Sequence, residues 1–130
     1  MNSALDFYDS HVSFIEIWEG NATVFFSHAY IHKSKGRPGK DSGMAWSQEA
    51  KLVLYDVTVF GAFPPLPNTI SEGFLEVGGI KHECLPLPFA RKVSAFLSLE
   101  FIDDSIVAIA GHKPHIELLG RPTFLEEFDQ

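Results

Sequence analysis

The stretch Lys92-Val93-Ser94-Ala95-Phe96-Leu97-Ser98-Leu99-Glu100-Phe101-Ile102 decides the fold class. Val93, Ala95, Leu97, Leu99 and Phe101 form one unbroken apolar row; Ser94, Ser98 and Glu100 oppose them, with Phe96 and Ile102 as exceptions. Successive side chains of an extended chain point to opposite faces, so this period of two reads as a half-buried β-strand.

Toward the C-terminus, Asp103-Asp104-Ser105 reads as a turn, residues 106–110 as a returning strand and residues 115–119 as one more short strand. Gly120-Arg121-Pro122 should end it, leaving 123–128 as an acidic, apolar tail with room for one helical turn. Toward the N-terminus, Pro86-Leu87-Pro88 should break pairing, because proline lacks the amide hydrogen a ladder uses. Residues 69–77 and 80–85 flank Gly78-Gly79, a two-residue hairpin turn suited to positive φ. Residues 61–67, with Pro64, Pro65 and Pro67, form a connector. A long strand is predicted over 47–60, with Val53, Tyr55, Val57 and Val59 on one face and Leu52 and Leu54 on the other. Residues 11–18 and 22–31 pair as a hairpin around Glu19-Gly20-Asn21.

No segment holds a helical i, i+3, i+4, i+7 pattern for three turns. The expectation is therefore all-β: a single antiparallel β-sandwich or β-barrel of about seven to nine strands, with residues 1–130 as one domain. The composition agrees. With 12 phenylalanines and 45% hydrophobic residues, the chain of 130 residues is rich enough to build a core and is not a disordered segment. One cysteine, Cys84, excludes an intrachain disulfide and fits the cytoplasm, where thiols stay reduced. Residues 1–10 lack the basic start of an export signal, and no apolar run approaches the ~20 residues of a membrane span, so no membrane association is expected.

The net charge of −7 argues against general nucleic-acid binding. That charge is uneven, because Lys33, Lys35, Arg37 and Lys40 give residues 33–40 a charge of +4 while the other 122 residues carry −11. Gly36, Pro38 and Gly39 surround these cations. Exposed amides together with cations can hold an anion, although the segment lacks the spacing of a phosphate-binding P-loop. Trp46 stands at the loop exit. The leading expectation is a small, non-catalytic binding or interaction domain that contacts a small anionic ligand or an acidic protein partner through Lys33, Lys35, Arg37, Lys40 and Trp46. The apolar connector Phe63-Pro64-Pro65-Leu66-Pro67 suggests self-association as a homodimer, the commonest oligomer.

The alternative is a small enzyme with a His/carboxylate site, metal-assisted or not, in which His28, Tyr30, His32 and His82 converge. His28 and His32 share a strand face with Tyr30, but four extended residues set them roughly 13 Å apart, too far for both to ligate one zinc. No cofactor and no metal are therefore expected. No nucleophile elbow, zinc-protease or dinucleotide-binding motif occurs.

Overall fold

The computed structural model describes residues 1–129. Eight strands run β1 (Asn2–Trp18), β2 (Asn21–Ser34), β3 (Gly43–Phe60), β4 (Asn68–Val77), β5 (Ile80–His82), β6 (Cys84–Leu87), β7 (Ser94–Phe101) and β8 (Ile106–Phe128). The molecule is all-β and antiparallel, and no helix occurs among the described residues. It follows that no described helix is long and apolar enough to cross a membrane.

The sheet order is β5-β4-β7-β8-β3-β2-β1-β6, and a further pairing joins β4 to β1 through His11–Thr69 and Val12–Asn68. Hydrogen bonds therefore run round a closed ring, β1-β2-β3-β8-β7-β4, which makes the sheet barrel-like. A bulge in β1 makes closure possible. Asp9 takes a left-handed φ of 66°, and β1 pairs with β6 before it and with β4 after it. Ser10 locks the bend: its hydroxyl donates to Asp6 O at 2.6 Å and accepts from Tyr30 N at 2.9 Å, and the residue is fully buried.

The core follows the alternation that the sequence carries. Ala95, Leu97, Leu99 and Phe101 of β7 are all buried. They meet Val107 and Ile109 of β8, Ile70 and Leu75 of β4, Leu52 and Leu54 of β3, Val24 and Phe26 of β2 and Phe7 of β1 in one cluster. Gly73 of β4 admits Phe7 to this cluster, since a Cβ there would lie 3.1 Å from Phe7 Cβ and 3.0 Å from Leu99 Cδ2.

Several boundaries and faces differ from the sequence reading. β1 begins at Asn2, well before His11. Val93 lies outside β7 and is 46% exposed. On β3, Leu52 and Leu54 point inward, as do Val57 and Val59, because a bulge at Asp56 (φ 50°) reverses the alternation between them. Residues 80–85 do not return as one strand; β5 pairs with β4, and β6 pairs with β1. Pro86 does not break pairing either. It sits opposite Ala4 on β6, an edge strand whose other side needs no donor. The predicted strands 106–110 and 115–119 and the tail are one strand, β8, which absorbs left-handed residues at Lys113 and Gly120 and stays paired with β3 as far as Phe128.

Candidate functional site

Register sorts the predicted site residues onto two faces of the sheet. Ile31 is buried in the core and pairs with Trp46, so Trp46 also points inward and packs on the core. Lys33, two residues beyond Ile31, shares that inner face. Its ammonium stands over the Trp46 ring, 4.8 Å from the centroid, and Phe124 of β8 meets the same indole edge-on at 5.3 Å. His28, Tyr30 and His32 take the outer face.

The inner face opens into a cavity of about 480 Å³ between β1, β2, β3 and β8, near β6. Ile31, Leu87, Pro88, Ile116 and Leu118 supply its apolar lining, and Ser3, Lys33, Gln48 and Glu117 its polar groups. The polar groups are unequally satisfied. Glu117 pairs with Lys51 at 3.3 Å, and Gln48 Nε2 donates to Gly120 O at 3.1 Å. Lys33 has no carboxylate within ion-pair distance among the described residues. Trp46 Nε1 is a buried donor without an acceptor among the described residues. The sequence reading included Lys33 and Trp46 but missed Gln48, Leu87, Pro88, Ile116 and Leu118. One signal was available, since Lys33 continues the apolar row of Ala29 and Ile31 at a spacing of two.

The basic loop, residues 35–42, is built differently from an anion nest. Gly36 N donates to Ser34 Oγ, Arg37 N to Asp41 Oδ2, and the Lys40 and Asp41 amides to Arg37 O. Four of its amides are thus spent inside the loop, and Arg37 also faces Asp41 at 3.7 Å. Lys35 and Lys40 project as exposed cations. The loop folds back toward the sheet, where Gly39 approaches His32 and Cys84.

On the outer face each ring has one partner, and His32 Nδ1 is a buried nitrogen without one among the described residues. His28 Nδ1 meets Ser47 Oγ at 3.3 Å, the Tyr30 hydroxyl donates to Glu126 Oε1 at 2.8 Å, and His32 Nε2 meets Asp6 Oδ2 at 3.2 Å. A groove of about 410 Å³ runs here between Asp9, His11, His28, Tyr30, Ser47 and Thr69. Burial, then the hydrogen bond and charge of Glu126, and then Asp9 and Asp6, push the Tyr30 phenol up to about 12. Burial followed by Asp6 pushes the Cys84 thiol up to about 11. His82 joins none of these groups, since it lies on β5 with its ring edge-on to Phe89 at 6.1 Å. Among the described residues no group of three or more His, Cys, Asp or Glu side chains is placed to hold a metal ion.

Comparison with family models, curated proteins and solved structures finds no match.

Proposed function

We propose that the protein is a non-catalytic binding domain that takes a small amphipathic anion, a carboxylate on an apolar body, into the inner-face cavity. The observation that carries this reading is the Lys33 ammonium, which lines an apolar pocket, stands over the Trp46 ring and has no carboxylate partner among the described residues. Ligand sites combine mostly apolar walls with a few polar groups, at volumes of about 300–1,000 Å³, and are common in the mouths of β-barrels.

The groups available for catalysis favour binding over chemistry. A thiol with its pKa near 11 is almost wholly protonated at neutral pH, and the thiolate is the nucleophile. Tyr30 and His32 are each tied to a carboxylate. A cytoplasmic setting suits a chain whose single thiol has no second cysteine to pair with.

Trp46 fluorescence in a Trp18→Phe background tests the proposal, with octanoate and octanol as probes. Saturable quenching by octanoate is expected. Lys33→Met should weaken octanoate binding about 10- to 100-fold, the value of a charge-assisted hydrogen bond, and leave octanol unchanged. Absence of saturable quenching, or equal affinity in the Lys33→Met protein, would refute the reading.

Homodimerisation has support of its own. Phe60 and Phe63 are 51% and 52% exposed, and Ile102 and Ile106, at the same end of the paired β3 and β8, are 66% and 52% exposed. Exposed apolar clusters of this kind mark association surfaces. Light scattering should report a dimer that Phe60→Ser with Ile106→Ser converts to monomer, and a wild-type monomer at micromolar concentration would end the idea.

A further inference from the structure

A second cleft lies away from the inner-face cavity, and its charge pattern is different. It has a volume of about 680 Å³ and lies between the β1–β2 turn, the β3 bulge, the segment 90–93 and the β8 bulge. Arg91, Lys92, Lys113 and His115 line it, together with Tyr55, Glu19 and Asp56. The three fixed cations are exposed, and none lies within ion-pair distance of a carboxylate among the described residues.

The framework holding these cations is rigid. Arg91 N donates to Pro114 O at 3.0 Å, Lys113 N to Val93 O at 2.9 Å and Ile116 N to Phe89 O at 3.0 Å, which pins the segment across β8. The Arg91 guanidinium rests on the Phe89 ring at 4.7 Å, and Tyr55 stacks on His115 at 5.9 Å. Of the five described non-glycine residues with positive φ, three, Glu19, Asp56 and Lys113, line this cleft. They are the hairpin-turn residue and the two bulge residues, so the cleft lies where a turn and two bulges fix the direction of the backbone.

We propose that this cleft is an anion site for phosphate or a phosphate ester, held by Arg91, Lys92 and Lys113. Two segments contribute these three cations to one cleft, against the two carboxylates Glu19 and Asp56, so the cleft can offer an oxyanion more than one positive donor, which suits phosphate's several acceptors. The site shares no residue with the inner-face cavity, so either assignment stands or falls without the other.

The test follows amide NMR shifts while inorganic pyrophosphate is added at constant ionic strength. Saturable shifts confined to residues 90–93 and 112–115 are expected. Arg91→Gln with Lys92→Gln should weaken binding about tenfold or more, and so should Lys113→Gly, which suits the backbone at that position. Lys35→Gln with Lys40→Gln, which removes equal charge from the basic loop, should leave binding intact. Linear shifts without saturation, equal weakening by the loop variant, or full binding by both cleft variants would overturn the proposal.

Discussion

Replacing Gly73 with valine tests how the sheet closes. Gly73 sits in β4 where β1 crosses it, and an added Cβ would meet Leu99 Cδ2 at 3.0 Å, Phe7 Cβ at 3.1 Å and Ser98 O at 3.3 Å. The leucine methyl can turn aside, but Phe7 Cβ and the Ser98 carbonyl are fixed to their backbones. Valine adds three carbons where one is already too close. Overpacking of this sort costs about 1–3 kcal/mol, and two rigid neighbours put this site toward the upper end. At about 2.1 cal/mol/K per residue, unfolding the chain carries roughly 270 cal/mol/K, so about 2.5 kcal/mol lowers Tm by about 9 °C. Urea unfolding followed by fluorescence gives the free energy, and hydrogen exchange gives its location. Exchange should quicken first at His11, Val12, Asn68 and Thr69, the pairs that join β1 to β4. A loss below about 0.5 kcal/mol, the usual scatter of surface substitutions, or a uniform rise in exchange would refute the argument that this glycine lets the ring close.

Ser10→Ala leaves Tyr30 N without its acceptor in a buried bend and should cost about 1–3 kcal/mol, measurable by urea unfolding. The Cys84 thiol rises from 9.0 to about 11, so the stability tied to its protonated form is intact below pH 9 and lost as pH climbs through 11. Discounted for partial exposure, that loss is about 1 kcal/mol, and Cys84→Ser should flatten the window. The same sign holds for Tyr30, which moves from 10.0 to about 12. Spectrophotometric titration should show one late tyrosine step that Tyr30→Phe abolishes. Ser34→Ala removes the hydroxyl that holds Ser42 O and Gly36 N, so amide exchange should accelerate across 35–42 while the core stays protected.

The architecture was legible where alternation was clean and illegible where single residues interrupt it. Leu97, Leu99 and Phe101 announce β7, and Gly78-Gly79 announces the β4–β5 turn. The face of β3 was not readable, because Asp56 shifts the pleat by one residue, and aspartate looks the same at a bulge as on a solvent face. Pro86 and Pro122 suggested breaks, but each lies on a strand with one unpaired side at that point, where a missing amide hydrogen costs nothing. The candidate site was half legible. Lys33 and Trp46 could be named from the sequence, but their meeting on the inner face depends on the β2–β3 register. Leu87 and Ile116 join Lys33 only because β6 and β8 are brought to the same opening. Nothing in the sequence links Arg91 to Lys113, because 22 residues separate them and only the folded crossing of segment 90–93 over β8 brings them to one cleft.

The long strand β8 has one further consequence. Beyond its pairing with β7, from Glu117 to Phe128, it is bonded among the described residues to β3 on one side only, so a row of backbone donors and acceptors faces outward beside the exposed Leu118, Phe124 and Leu125. Such an edge is a template on which another extended chain could zip up. Gly120, Arg121, Pro122, Glu126 and Glu127 interrupt it with a kink, a missing donor and like charges. The shelf life of concentrated protein therefore hangs on this short run: Pro122→Thr with Glu127→Val should leave the fold intact and turn a clear solution into one that seeds fibrils.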